Sequence, residues 1–135
     1  MTHAQTTATV ALGAQRFVSL TTFKQDGSPV ATPVWVMRDG DALLVTTPAG
    51  SYKVKRLRRD ARVRLVPCGR TGRIRDGERP VEGKAEIVTD PAETARMTQL
   101  IRRKYGLEYR VTMLVERLVA RRRKPRVLLR ITLSE

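Results

Sequence analysis

The sequence predicts a mainly β fold of the α+β kind, about six or seven antiparallel strands wrapped into a small barrel with two or three helices at its side. Three observations predict it. Asp-Gly turns recur at Asp26-Gly27, Asp39-Gly40 and Asp76-Gly77, each flanked by short runs rich in β-branched and aliphatic residues, a strong hairpin signal. Several of those runs alternate polar and apolar residues, as half-buried strands do. Helical spacing of apolar residues is confined to a basic segment after the third strand and a longer stretch beyond Asp90.

In chain order, residues 1–12 read as a flexible, threonine-rich start, and residues 13–135 as a single domain. At 135 residues and 41% hydrophobic content the chain is long enough to bury one core. Arg16 to Phe23 reads as the first strand and Val30 to Met37 as the second, joined by Gln25-Asp26-Gly27-Ser28; Asp39-Gly40 then turns the chain into a third strand, Ala42 to Thr47. Arg62 to Val66 alternates as a fourth strand, ended by Pro67-Cys68-Gly69. Thr71 to Arg75 reads as a short strand, connected through Asp76-Gly77 to a longer one, Pro80 to Thr89.

Asp90-Pro91-Ala92-Glu93 has the form of a helix start, with a capping Asp, Pro at the first helical position and Glu93 placed for a capping box. Met97, Leu100 and Ile101 give its buried face, and Gly106 should stop it. Val111, Leu114, Val115, Leu118 and Val119 then fall at offsets of three, four, seven and eight, the pattern of a second amphipathic helix. Arg121-Arg122-Arg123-Lys124-Pro125 would end that helix with solvated cations at its negative pole. Val127 to Leu133 forms the last strand.

The segment Ser51-Tyr52-Lys53-Val54-Lys55-Arg56-Leu57-Arg58-Arg59-Asp60, entered through Thr46-Thr47-Pro48-Ala49-Gly50, carries the chemistry. Ser51 can cap a helix of about two turns, with Val54 and Leu57 on its buried face. A helix start carries unpaired N–H groups and the positive end of the macrodipole, so hydroxyls and lysines placed there suit a phosphate or carboxylate.

Composition narrows the partner. The net charge of +14, from 27 Lys plus Arg against 13 Asp plus Glu, favours anionic ligands in general. Aromatics make up only 4% of the chain, and no helix-turn-helix spacing surrounds the Arg121 to Lys124 run, so nucleic acid is a remote partner. One cysteine, Cys68, excludes an internal disulfide and reads as a small buried hydrophobe; with His3 as the one histidine, no metal site is expected. No apolar run approaches the roughly 20 residues that span a bilayer, and the polar start lacks signal-peptide character. The expectation is a cytoplasmic protein with no membrane partner.

The ordered set Phe17-Val18-Ser19-Leu20-Thr21-Thr22, Asp26-Gly27-Ser28-Pro29, Val30-Ala31-Thr32-Pro33-Val34-Trp35-Val36, Ser51 to Leu57, Pro67-Cys68, Val81-Glu82-Gly83-Lys84-Ala85 and Arg103-Lys104-Tyr105-Gly106-Leu107 resembles the coenzyme F420-dependent members of the pyridoxamine-phosphate-oxidase-like flavoprotein superfamily. The match runs from Phe17 to Ile131. The resemblance implies a split β-barrel working as a homodimer, with the cofactor in a groove between subunits. It implies F420, a deazaflavin whose tail bears a phosphate, a lactyl carboxylate and glutamates, with FMN as the alternative. Ser51, Lys53 and Lys55, with Arg56 nearby, would hold the phosphate, and Thr46 and Thr47 would hydrogen-bond beside it. Thr32, Pro33, Val34 and Trp35 would line the ring, which Pro67 and Cys68 would border. The implied activity is hydride transfer from reduced F420 to a small organic acceptor, with no catalytic side chain assigned. An FMN oxidoreductase and a non-catalytic F420 carrier are the alternatives within the fold, and a basic nucleic-acid-binding protein is a more distant one.

Overall fold

The computed structural model describes residues 2–120 and 126–134. Seven antiparallel strands form one sheet in the order β2-β1-β5-β6-β7-β4-β3. The strands are β1 (Val18–Phe23), β2 (Pro29–Val34), β3 (Met37–Asp39), β4 (Ala42–Pro48), β5 (Arg62–Pro67), β6 (Val81–Val88) and β7 (Arg126–Leu133); the helices are α1 (His3–Gly13), α2 (Tyr52–Arg59) and α3 (Pro91–Ala120).

The connectivity forces the sheet to curl. Strands β2 and β3 occupy its opposite edges, yet only Trp35 and Val36 separate them in sequence. A flat seven-stranded sheet would hold its edges about 29 Å apart, and the three Cα steps from Val34 to Met37 reach about 11 Å at most. The edges therefore meet, giving a half-barrel with the helices around it.

The expected single strand Val30 to Met37 is thus two short ones. The break is held by a pair of residues from α3. The Val36 amide donates to Tyr105 Oη at 2.9 Å, and Tyr105 Oη lies 2.7 Å from the Arg16 carbonyl. Lys104 Nζ donates to the carbonyls of Gly13 at 2.8 Å, Gln15 at 2.5 Å and Val36 at 2.6 Å.

Strand alternation sorts side chains into two cores. Leu43 and Val45 of β4, with Leu20, Leu65, Leu129 and Ile131, fill the barrel interior. Leu44 and Leu128 face the other way and pack beneath α3 against Met97, Ile101, Tyr105 and Tyr109.

The flexible start expected over residues 1–12 gives way to helix α1. A reciprocal capping box starts it: Gln5 N donates to Thr2 Oγ1 at 3.1 Å, and Thr2 N donates to Gln5 Oε1 at 2.6 Å. Gln5 Nε2 also donates to Leu133 O at 2.9 Å, and Leu12 is buried in the barrel core. The Thr/Ala-rich helix has almost no apolar periodicity, so its sequence hides it.

The expected strand Thr71 to Arg75 is a loop. β5 pairs directly with β6, Leu65 facing Val81, so residues 68–80 have no place between those two strands and form the connection that joins them. Gly72 and Gly77 take positive φ there, at 91° and 87°.

Helix α3 starts as read, with Glu93 N donating to Asp90 Oδ2 at 2.9 Å. The Glu93 carboxylate, expected to close a capping box, instead pairs with Arg96 and Arg130. Gly106 interrupts the helix at φ 52° and ψ −121°, where the sequence placed a stop. Beyond it, the apolar face of the second amphipathic stretch is exposed rather than packed. The reading of Arg121 to Lys124 as a solvated helix end lies outside the described residues.

Candidate functional site

Helix α2 places the basic segment. The Ser51 amide donates to Pro48 O at 3.1 Å, closing the turn out of β4, and Ser51 Oγ lies 3.4 Å from the Val54 amide and from Thr47 Oγ1. Val54 and Leu57 are buried, which fixes the helix rotation and turns Lys53 and Arg56 sideways along the protein surface. Arg56 Nε donates to Thr22 Oγ1 at 2.7 Å, and Arg59 donates to Phe23 O at 3.1 Å. Lys55 points into solvent, its ammonium 5.2 Å from the ring centroid of its neighbour Tyr52, and stands apart from this group.

A residue that sequence reasoning passed over completes the cluster. Arg126, first residue of β7, donates through Nε to Thr46 Oγ1 at 3.1 Å and through one terminal nitrogen to both Glu116 carboxylate oxygens at 2.7 and 2.9 Å. Its signal is absent from local sequence because it arises from pairing, Pro48 facing Arg126 across β4 and β7. Burial first, then the positive fields of Arg56 and Arg126, pull the Lys53 ammonium below the usual lysine range. Three cations of two distant segments thus share one corner of the fold. An anionic group placed among them relieves their repulsion.

Thr46 and Thr47, adjacent in sequence, are separated by the strand's alternation. Thr47 is buried on the interior side near Ser51, whereas Thr46 faces α3. Thr46 and Arg126 line a cleft of about 700 Å³ between α3 and the sheet, whose apolar wall comprises Tyr109, Met113, Leu114 and Leu128. Arg102, Arg110 and Arg117 stand along it. Trp35 packs on Tyr105 with ring centroids 4.7 Å apart, nearly parallel, and lies 6.1 Å from the ring of Tyr109.

The other sequence-nominated residues gather at the far end of β1. Val34 and Pro67 both face Val18, from β2 and β5 respectively. Val34 belongs to the interior core, and Thr32 Oγ1 is buried with no hydrogen-bond partner among the described residues. Pro33 meets the 68–80 loop, where a Cβ on Gly72 would lie 3.7 Å from its Cδ. Pro67 and Cys68 border a cavity of about 570 Å³ with Gln15, Arg73 and Arg75, and burial raises the Cys68 thiol pKa. Val18 and Thr22 are four residues apart, so this group and the α2 cluster stand about 13 Å from one another along β1.

Residues 5–135 match the family model for pyridoxamine 5'-phosphate oxidase. The chain belongs to that family. Solved structures agree with the assignment. A conserved hypothetical protein of Mycobacterium tuberculosis is 29% identical, with a TM-score of 0.70, over 100% of this chain and 82% of that one. A pyridoxamine 5'-phosphate oxidase candidate of Listeria innocua is 17% identical, with a TM-score of 0.66, over 98% and 95%. An F420 reductase is 19% identical, with a TM-score of 0.61, over 93% and 92%. No curated protein matches the sequence. A FAD-binding protein of Mesorhizobium loti shares the fold as well, 18% identical with a TM-score of 0.58 over 100% of this chain and 90% of that one.

Proposed function

We propose that the protein is an F420H2-dependent reductase, a cytoplasmic homodimer that passes a hydride from the deazaflavin to a small organic acceptor. The observation that carries this reading is the convergence of Lys53 and Arg56 of α2 with Arg126, which holds Thr46, at the corner where α2 leaves β4. These donors suit a phosphate: a helix start offers backbone N–H groups, and guanidinium and ammonium groups neutralise the charge. Reduced F420 supplies a hydride from its ring carbon. In this reading Lys53, Arg56 and Arg126 bind the phosphate, and the outlying arginines of the cleft attract the carboxylates of the tail. Tyr109, Met113, Leu114 and Leu128 provide the apolar wall that keeps water away. Thr32 to Trp35, Pro67 and Cys68 lie at a distance an extended coenzyme can cover, about 13 Å along β1. FMN presents a phosphate to the same donors, but the net charge of +14 favours the ligand with the longer anionic tail.

Parallel fluorescence titrations with F420 and FMN test the cofactor. Tighter binding of F420, weakened about tenfold by Lys53→Ala, supports the reading. Tighter binding of FMN, or no response to F420, overturns it. Reoxidation of F420H2 by a panel of quinones and enones then tests turnover: a rate unchanged by the protein identifies a carrier.

A further inference from the structure

We propose that the second half of α3, residues 107–119, is a docking surface for an anionic lipid bilayer. Leu107, Val111, Leu114, Val115, Leu118 and Val119 are each at least half exposed. Their offsets of four, seven, eight, eleven and twelve residues put them on one stripe of the helix. Six aliphatic side chains in a contiguous exposed stripe are more than the scattered apolar residues of an ordinary surface.

Charge selects the occupant. Both acids of the segment are already engaged by the protein, Glu108 with Arg16 and Arg70, and Glu116 with Arg126. Arg110 and Arg117 are exposed along one edge of the stripe and form no ion pair among the described residues. Arg121-Arg122-Arg123-Lys124 follows directly in sequence, and the whole chain carries +14. An aliphatic face edged by arginine is the composition of a helix that lies in the headgroup layer, where each cation adds attraction to anionic lipid. A second copy seated on this face would set the same Arg110 and Arg117 edge against its own kind, so the proposed homodimer pairs through another face. No described helix is long and apolar enough to cross a membrane, so the contact is interfacial. This revises the sequence-level expectation of no membrane partner, which rested on the lack of a spanning segment. The helix carries Met113 and Leu114 into the cleft wall, so docking sets the cleft beside the lipid headgroups. The inference does not depend on which cofactor the cleft binds.

Co-sedimentation of the full chain with vesicles of phosphatidylcholine, with and without added phosphatidylglycerol, tests it. Partition into the anionic vesicles should exceed that into neutral ones by about tenfold or more and fall as salt is raised. Leu118→Ser with Val119→Ser, at two of the most exposed positions, should weaken partition about tenfold without altering the fold, as circular dichroism checks. Replacing Arg121, Arg122, Arg123 and Lys124 with Gln should weaken it by a similar factor. Equal partition into both vesicle types, or no loss in the double serine variant, overturns the proposal. So does a stable dimer in sedimentation velocity that the double serine variant splits, since a second copy then covers the face.

Discussion

Lys104 Nζ sits 2.6 Å from the Val36 carbonyl and also reaches Gly13 and Gln15, so one ammonium ties α3 to the end of α1 and to the residues that join the two edges of the sheet. Replacing it with Met keeps the aliphatic stem and removes all three charge-assisted bonds. Lys104→Met should lower stability by about 2 to 3 kcal/mol, read as a shift in the urea midpoint. A loss below about 0.5 kcal/mol would show that water serves these carbonyls equally well.

Tyr105 acts on the same junction through its hydroxyl, while its ring stacks on Trp35. Burial pushes its pKa up to about 12, so it stays protonated at any working pH. Tyr105→Phe should cost about 1 to 2 kcal/mol, because the Val36 amide loses its acceptor. The fluorescence of Trp35, the one tryptophan, should scarcely change. A large spectral shift would mean that the hydroxyl also orients the ring stack.

Gly83 lies where β6 meets β7, and a Cβ there would come within 2.7 Å of the Thr132 carbonyl oxygen. That atom belongs to backbone paired with β6, where Thr132 faces Lys84, and it cannot swing aside as a side chain would. Gly83→Ala should therefore cost about 2 kcal/mol or more. Gly50→Ala, with open space around the added methyl, serves as the control.

Acid should loosen the seam between β3 and α3. Hydrogen bonding from Arg96, then its charge and that of Arg130, holds the Asp39 carboxyl below its ordinary value of 3.8. A carboxyl whose folded pKa is depressed stabilises the fold fully above the unfolded pKa and loses that contribution as pH falls through the folded one. The stability difference between the wild type and Asp39→Asn should be largest near neutrality and shrink below about pH 4. A difference that is flat with pH would assign the bond no role in folding.

At the α2 cluster the sign reverses. Lys53 is depressed by burial and by two guanidinium fields, so it sheds its proton earlier than an ordinary lysine as pH rises. Anion affinity should decline on the alkaline side below the usual lysine range. Arg126→Gln removes one of the fields, so it should move that decline to higher pH while weakening binding at neutrality. An unmoved alkaline limb would dissociate Lys53 from the ligand.

What the sequence discloses follows the range of the interactions involved. The strands around the Asp-Gly turns at Asp26 and Asp39, the alternating Arg62 to Val66 and the final strand are local patterns and were readable as such. The split between β2 and β3 is not local: Thr32 to Met37 continues as extended sequence, and the break is imposed by Lys104 and Tyr105 from some seventy residues away. Thr71 to Arg75 looks like a strand, but the direct pairing of Leu65 with Val81 closes the place between β5 and β6, and the segment turns on itself instead, the Gly72 amide donating to Gly69 O. The anion cluster was half legible. Ser51, Lys53 and Arg56 stand in one segment, whereas Arg126 reaches them only through the β4–β7 ladder.

That ladder also orders the birth of the fold. β7 is the last strand of the sequence and lies between β6 and β4. Until it is made, the strands can pair only as a four-strand ribbon, β2-β1-β5-β6, and a β4-β3 hairpin, linked through Trp35-Val36 and the bonds from Lys104 and Tyr105 but by no continuous ladder. Closure of the ladder waits for residues 126–133, so a chain stopping short of Arg126 should leave the facing edges of β6 and β4 bare, a product prone to clump and to attract chaperones.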